Sequence, residues 1–468
     1  MKKGIRGVCF VVLLGLILGH IYSVLSWKDT AGNYLSSVQQ LYHTPKQTMD
    51  VVFMGSSHCY CSIYPEYLWR DYGYSAFDMA VSGQDKSANY YSLLELLKTQ
   101  SPQVVFVEAY ALLYDGYSQE GNAYRNLLSM KNSINNFRLI REAVDEEKQM
   151  DYLLRWPIVH TRYAELTRYD FVQYAPSEYG RGANWGWGQG TGAWPEAAKS
   201  CMSAAPLSEE NLRWLDRILT LGAEKDIDIV FYVAPMQVYN EEQAIYNGAA
   251  EYVTAAGAEW IDCNKLFDEM GISADTDFED AYHCNAHGAE KVTSYMGRYL
   301  QENYELEDHR GDDTYTAWDQ SLRLYQHCEA AQGLEQLDME SYLKAVAELE
   351  GVKLIVALEG DYKSSTLPMD QYAAWLGVPP EQYETGGKWV ISEGEVKAFL
   401  DNMSTEIVCV ELSGRDFAVL ENVSLKSGES VLNNIRINGE YYGKALNGLT
   451  VIVYDPLREA IISARGIA

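Results

Sequence analysis

The sequence predicts an α/β architecture: a three-layer α/β/α domain with a parallel sheet, a separate β-rich, sandwich-like domain after it, and one apolar helix before it. Three observations carry that reading. Between residues 49 and 303 short apolar, β-branched runs alternate with helical patterns, and such alternation builds a parallel sheet covered on both faces. From 338 to 468 helices become scarce and short strands separated by turn residues take over. Near the start, Gly7 to Ser26 is a run of twenty residues without a formal charge, the length of a bilayer-crossing helix.

Taken in order, residues 1–26 read as a cytoplasmic tip and a transmembrane anchor. Lys2, Lys3 and Arg6 precede the apolar run, and a basic flank stays in the cytoplasm, which exports the rest of the chain. A cleaved signal peptide is the alternative, but no small-x-small cleavage site follows the apolar core. Residues 27–48 read as a polar, helical stalk. The strands of the next domain are expected at "DVVFMG" (50–55), "YSAFDMAVSG" (74–83), "QVVFVEAY" (103–110), "IDIVFYVAP" (227–235) and "AEWIDC" (258–263). Between them, "SANYYSLLELLKT" has helical spacing, and "SEENLRWLDRILTLGAEKD" opens on Ser208 as an N-cap with Leu212, Leu215, Ile218 and Leu219 on one face.

A long insertion, about 111–206, follows the third run and is expected to hold little regular structure, the kind of loop that is functional or disordered. Its tail "YGRGANWGWGQGTGAWP" contains Trp185, Trp187 and Trp194. Disordered segments are poor in aromatics, so a sugar-stacking lid and an internally packed loop stand as the two readings. Residues 304–337 read as a charged, partly helical connector. The strands of the last domain include "VKLIVALEGD", "KWVI", "EIVCVEL" and "GLTVIVYDP", with one helix at "PMDQYAAWLG".

Composition excludes some functions. A net charge of −29 argues against nucleic-acid binding, since phosphate contacts require the opposite sign. The eight cysteines form no CxxC pair, which excludes zinc-ribbon and thioredoxin-like sites. No metal or organic cofactor is expected. The 36 tyrosines and 11 tryptophans suit core filling first and sugar-facing surfaces second.

Chemistry concentrates at two points. The first apolar run stops at Gly55-Ser56-Ser57, and the last helix is preceded by "DAYHCNAHG", which places Asp280 three residues before His283. A serine hydroxyl becomes a nucleophile when a base takes its proton and a carboxylate orients that base. An ordinary glycine-serine turn with Ser57 as helix N-cap is the alternative. Parallel sheets place their sites beyond the carboxyl ends of their strands, where both segments are expected to fall.

These blocks resemble the SGNH (GDSL-type) hydrolase superfamily, whose first motif is Gly-Asp-Ser and whose last is Asp-x-x-His. The resemblance implies Ser57 as nucleophile, His283 as base and Asp280 as its orienting carboxylate. "AVSGQD" is similar to the second block and implies an oxyanion hole of the Gly83 and Ser57 amides, with Gln84 beside it. The third block departs: "VEAYALLYDG" lacks the family's asparagine. "FMGSSH" behind a single anchor resembles a branch that includes the teichoic-acid D-alanine transfer protein and exported alginate-type acetyltransferases. That branch implies a cell-envelope polysaccharide or teichoic acid as acceptor and a membrane-bound O-acyltransferase as partner. Trp185 and Trp187 are candidates for substrate contact, and "HTRYAEL" (160–166) is similar to a segment of such exported proteins, without an assigned role. "VKLIVALEGD", "AAWLG" and "NGLTVIVYDPLREAIISARG" resemble the interleukin-like epithelial-mesenchymal-transition inducer domain, which implies a lectin-like module. The rival function is a catalytically degenerate protein that binds glycan or assembles the envelope machinery.

Overall fold

Five apolar runs pair into one parallel sheet in the computed structural model, which describes residues 2–26, 36–114, 120–166, 168–171, 180–192, 194–422, 435–445 and 447–468. The strands are β1 (Val51–Met54), β2 (Ala76–Asp78), β3 (Val104–Glu108), β4 (Asp228–Val233) and β5 (Glu259–Asp262), in the order β2-β1-β3-β4-β5. Alternation along each strand divides its side chains between two cores. Val52, Val105, Ile229 and Phe231 enter one; Val51, Phe53, Val104, Phe106 and Tyr232 enter the other. Burying each such side chain contributes about 1.5–3 kcal/mol, which is why these runs are apolar on both faces.

The helices of this unit are α1 (Lys2–Leu25), α2 (Ser36–Leu41), α3 (Ser57–Ser62), α4 (Pro65–Tyr72), α5 (Lys86–Leu96), α6 (Glu120–Ser129), α7 (Ile134–Ala143), α8 (Glu146–Leu154), α9 (Trp156–Val159), α10 (Glu196–Ser200), α11 (Glu209–Lys225), α12 (Asn240–Ala255) and α13 (Ala286–Asn303). Leu93 and Leu96 of α5, Leu215 and Ile218 of α11 and Val253 of α12 cover the first face; Cys59 of α3, Leu68 of α4 and Val292 and Met296 of α13 cover the second. The chain runs from β1 outward to β2 and returns past it to β3, so the winding reverses between β1 and β3. The carboxyl edge of that pair is the place where open α/β sheets bind ligands.

Three expectations are corrected. The apolar run 74–83 pairs with β1 only over Ala76–Asp78. Asp78 then accepts the N–H of Ala80 with its own side chain (2.9 Å), while the Met79 and Val81 N–H groups still donate to Phe53 O (2.7 Å) and Gly55 O (3.1 Å), so the chain stays beside β1 without continuing as strand. The insertion is largely helical, from α6 to α10, and Ser133 caps α7 by accepting the N–H of Asn136. The segment read as a stalk is built into the domain where it is described: α2 buries Val38 and Leu41 in the first core. Residues 27–35 lie outside the described residues.

The chain divides into two units, Met1–Leu322 and Arg323–Ala468. In the second, α14 (Thr316–Leu334, begun in the first unit) leads to α15 (Met339–Ala347), β6 (Lys353–Glu359), α16 (Met369–Trp375), α17 (Pro380–Tyr383), β7 (Gly387–Ser392) and β8 (Glu395–Asp401). There follow β9 (Ile407–Glu411), β10 (Phe417–Glu421), β11 (Ile435–Ile437), β12 (Glu440–Tyr441), β13 (Gly448–Asp455) and β14 (Ala460–Ile467). Two antiparallel sheets, β14-β13-β6-β7-β8 and β12-β11-β10-β9, close over Ile355, Val390, Leu420 and Ile435. The outer face of the larger sheet is covered by Leu343 and Val346 of α15 and Tyr372 of α16. At the start of the first unit, Gly7–Leu25 is long and apolar enough to cross a membrane or to serve as a signal sequence.

Candidate active site

At the end of β1 the backbone passes so close to β3 that a Cβ on Gly55 would collide with that of Glu108. Glycine is therefore required there. The next residue, Ser56, is the N-cap of α3: its Oγ accepts the N–H of His58 (3.4 Å) and donates to Glu108 Oε2 (3.0 Å). Glu108 Oε1 accepts the N–H of Tyr110 (2.7 Å). Burial raises the Glu108 carboxyl to about 7 against these hydrogen bonds. The capping role considered for Ser57 thus belongs to Ser56, and Ser57 is left as the first residue of α3 with its hydroxyl turned elsewhere.

That hydroxyl lies 2.9 Å from His283 Nε2. On the far side of the ring, His283 Nδ1 is 3.0 Å from each oxygen of Asp280. A carboxylate only accepts, so Nδ1 carries the proton and the Nε2 lone pair faces Ser57. Asp280 Oδ1 also accepts the N–H groups of Tyr282 (2.8 Å) and His283 (3.0 Å). Partial burial works to raise the Asp280 carboxyl, but the bonds from the His283 ring and these two amides outweigh it and hold it below its ordinary range. Three side chains separated by up to 226 positions thus form one hydrogen-bonded line.

The Asp280–His283 segment is held by the tryptophan-rich loop. Gly190 N–H donates to Phe278 O (2.9 Å), Gly188 N–H to Glu279 Oε1 (3.1 Å) and Ala286 N–H to Gly186 O (2.7 Å). Asn285 caps α13 by accepting from His287 and Gly288 and donates to Gly188 O (3.0 Å). Trp185 is buried, its indole N–H 3.4 Å from Glu66 Oε2, so the expectation that it stacks on substrate is corrected: it anchors the loop. Trp187 is half-buried in the same loop and Trp194 is exposed.

A second imidazole joins the two halves. His58, next to Ser57, lies flat against His283 with ring centroids 5.1 Å apart and 13° between planes. Its Nδ1 is 2.9 Å from Tyr282 O, so it donates there. Burial, with His283 beside it, pushes its pKa down to about 3, and the ring is neutral at physiological pH. His58 therefore ties the first turn of α3 to the loop that carries His283.

Gly83 lies in a turn closed by Gln84 N–H to Val81 O (2.9 Å), with φ of +59°, a conformation glycine favours. A Cβ there would collide with the carboxamide of Asn122 on α6. Gln84 points inward: it is buried and its Nε2 donates to Asn89 Oδ1 (2.6 Å). Asn122 belongs to no motif in the sequence, and Glu108 and His58, though they lie in the segments "VEAYALLYDG" and "FMGSSH", carry no assigned role there. Only the placement of Glu108 at the end of a strand signals its position.

No protein-family model matches the chain, and no curated protein matches it in sequence. Among solved structures, the crystal structure of a candidate acylhydrolase from Bacteroides fragilis aligns at 12% identity and a TM-score of 0.29, over 59% of this chain and 99% of that one.

Proposed function

We propose that the protein is a membrane-anchored, extracytoplasmic serine O-acyltransferase or esterase of the SGNH type that acts on a cell-envelope polysaccharide or teichoic acid. The observation that carries this reading is the unbroken line from Asp280 through His283 to Ser57, at 3.0 and 2.9 Å. In the proposed reaction His283 Nε2 takes the Ser57 proton as Oγ attacks the acyl carbonyl of a donor ester. The N–H groups of Ser57 and Gly83 meet the tetrahedral oxyanion. Ser57 sits in the first turn of α3, where helix amides lack intrahelical partners. Asn122, packed on Gly83, supplies a third donor in place of the asparagine absent from the segment after β3.

Collapse of the intermediate expels the donor alcohol, which takes the proton from His283, and leaves an acyl ester on Ser57. A sugar hydroxyl, or water, deprotonated by the same imidazole then attacks that ester and frees Ser57. The exposed Tyr282 and half-buried Trp187 flank the triad segment as surfaces for a sugar ring. A membrane-bound O-acyltransferase is the partner that would deliver the acyl group across the bilayer. The test is labelling by a serine-directed fluorophosphonate: it is expected in the wild type and lost in Ser57→Ala, and equal labelling of both refutes the assignment.

One observation favours a second reading, glycan binding by the carboxyl-terminal unit. A cavity of about 700 Å³ there is lined by Trp375 together with Arg323, Glu348, Glu350 and Glu393, an aromatic face ringed by hydrogen-bonding groups. No turnover of 4-nitrophenyl acetate, together with glycan binding that is lost in Trp375→Ala, would favour a non-catalytic binding protein.

A further inference from the structure

Helix α1 is bare along most of its length and enters folded protein only in its last turn. Its apolar side chains are exposed from Val8 to Ile21, whereas Leu25 is buried. The last carbonyls of any helix lack intrahelical partners. Here the Leu25 carbonyl accepts from Arg162 Nη1 (2.8 Å), and Arg162 Nη2 donates to Asp170 Oδ1 (2.9 Å), an ion pair with both members buried. The Tyr22 ring stacks on Trp156, centroids 6.4 Å apart. Helix α9 and the two 3-10 turns at His160–Ala164 and Arg168–Phe171 pack against α1. Segment 160–166 thus grips the end of the apolar helix.

The surface beside that grip is apolar. Leu154 and Trp156 are exposed, as are Tyr163 (73%) and Phe171 (66%). Among the described residues of the first unit outside α1, eleven large apolar side chains are exposed, and seven of them lie between 134 and 171. Scattered surface hydrophobics show no such bias. Length fixes where the patch falls. The 19 residues Gly7–Leu25 rise about 28 Å as a helix, close to the thickness of a hydrocarbon core. With Lys2, Lys3 and Arg6 at one surface, Leu25 and the grip lie at the other.

We propose that residues 146–166 and 168–171 form a collar that seats α1 in the lipid–water interface of the leaflet by which it leaves. Trp156, Tyr163 and Phe171 then lie at headgroup depth, where amphipathic aromatic rings concentrate in membrane proteins. The bilayer is the occupant because these side chains adjoin the exit turn of the one helix that would lie in it. The proposal rests on the reading of α1 as a membrane anchor. It also makes α1 a fixed part of the fold, because cleavage before Ser26 would remove one of the acceptors of the buried Arg162 guanidinium, the Leu25 carbonyl.

The test uses the full chain carrying Cys9→Ala and Cys409→Ser, which removes the two exposed thiols. Single cysteines at Val12→Cys, Tyr163→Cys, Phe171→Cys and Met202→Cys are labelled with a solvent-sensitive nitrobenzoxadiazole and reconstituted in phosphatidylethanolamine–phosphatidylglycerol vesicles. Blue-shifted emission, quenched by headgroup-level nitroxide lipids at 163 and 171, is expected, with deep nitroxides quenching at 12 and no lipid quenching at 202. Water-like emission at 163 and 171 with lipid quenching at 12 would overturn the collar and leave the anchor standing. Water-like emission at 12 as well would overturn the anchor and the collar together. Shielding of 163 and 171 in native membranes but not in these vesicles would identify a protein as occupant and overturn the lipid collar.

Discussion

Ser57 and His283 meet at 2.9 Å, yet the ground beneath each differs. Ser57 stands on a turn whose supports, Ser56, Glu108 and His58, are all buried. His283 stands on a loop whose carboxylate, Asp280, keeps 57% of its side-chain surface in water. Buried hydrogen bonds are costly to break because the orphaned group is not rehydrated, whereas exposed ones compete with solvent at every moment. The comparison teaches that the proposed nucleophile, Ser57, is positioned by buried contacts and the proposed base, His283, by a hydrated loop. Changes on the first side should cost stability and changes on the second should cost rate.

The largest expected effect tests the centre of both halves. Ser57→Ala should lower turnover of an acyl ester by about 10⁴-fold or more while shifting thermal stability by less than about 1 kcal/mol, since Ser57 caps nothing and is only half-buried. Retained turnover would detach the geometry from the chemistry altogether. Next comes Asp280→Asn, which keeps the shape but removes the charge that holds Nδ1–H. A loss of about 10²–10⁴ in kcat is expected with little change in unfolding. An equal loss of stability would show that the loop is not the solvent-supported element described above.

A smaller loss is expected on the third support. Asn122→Ala removes the carboxamide beside Gly83 and should reduce kcat on the order of 10²-fold, the effect of deleting one oxyanion donor. KM should barely move. A change confined to KM would reassign Asn122 to binding.

The unequal legibility of the two halves in the sequence has the same physical source. Runs such as "DVVFMG" and "QVVFVEAY" are readable because strands buried on both faces leave continuous apolar stretches. Met79–Val81 continue the apolar run, and Met79 and Val81 still bond to the Phe53 and Gly55 carbonyls, yet the strand ends at Asp78, whose side chain takes the Ala80 N–H; that is a local hydrogen bond, invisible to periodicity. Asp280 and His283 stand out as a carboxylate and an imidazole at short spacing, and Ser57 by the glycine-serine turn that ends the first run. Glu108 meets Ser56 across the sheet and Asn122 meets Gly83 from the insertion, through contacts that no spacing encodes. Trp185 misleads for a related reason: an indole in a glycine-rich loop reads the same whether it faces sugar or, as here, Glu66.

The smallest effect sharpens the buried side. Burial holds the Glu108 carboxyl at about 7, above the ordinary value near 4.3 for glutamate, so the folded protein binds this proton more tightly than the unfolded chain does. Stability from that proton is fully present below about pH 4.3 and is lost as pH rises through about 7. Glu108→Gln removes the titration and keeps one acceptor for Ser56 or Tyr110. Near pH 5 the variant should be less stable than the wild type by about 1 kcal/mol, the net worth of a hydrogen bond. The difference should shrink and reverse by pH 8, where the wild type carries a buried charge that the variant lacks. Denaturant titrations at pH 5 and pH 8 measure both ends. Parallel curves for the two proteins across that range would show that the carboxyl under Ser56 does not change charge on folding, and the contrast between the buried support of Ser57 and the hydrated support of His283 would then rest on geometry alone.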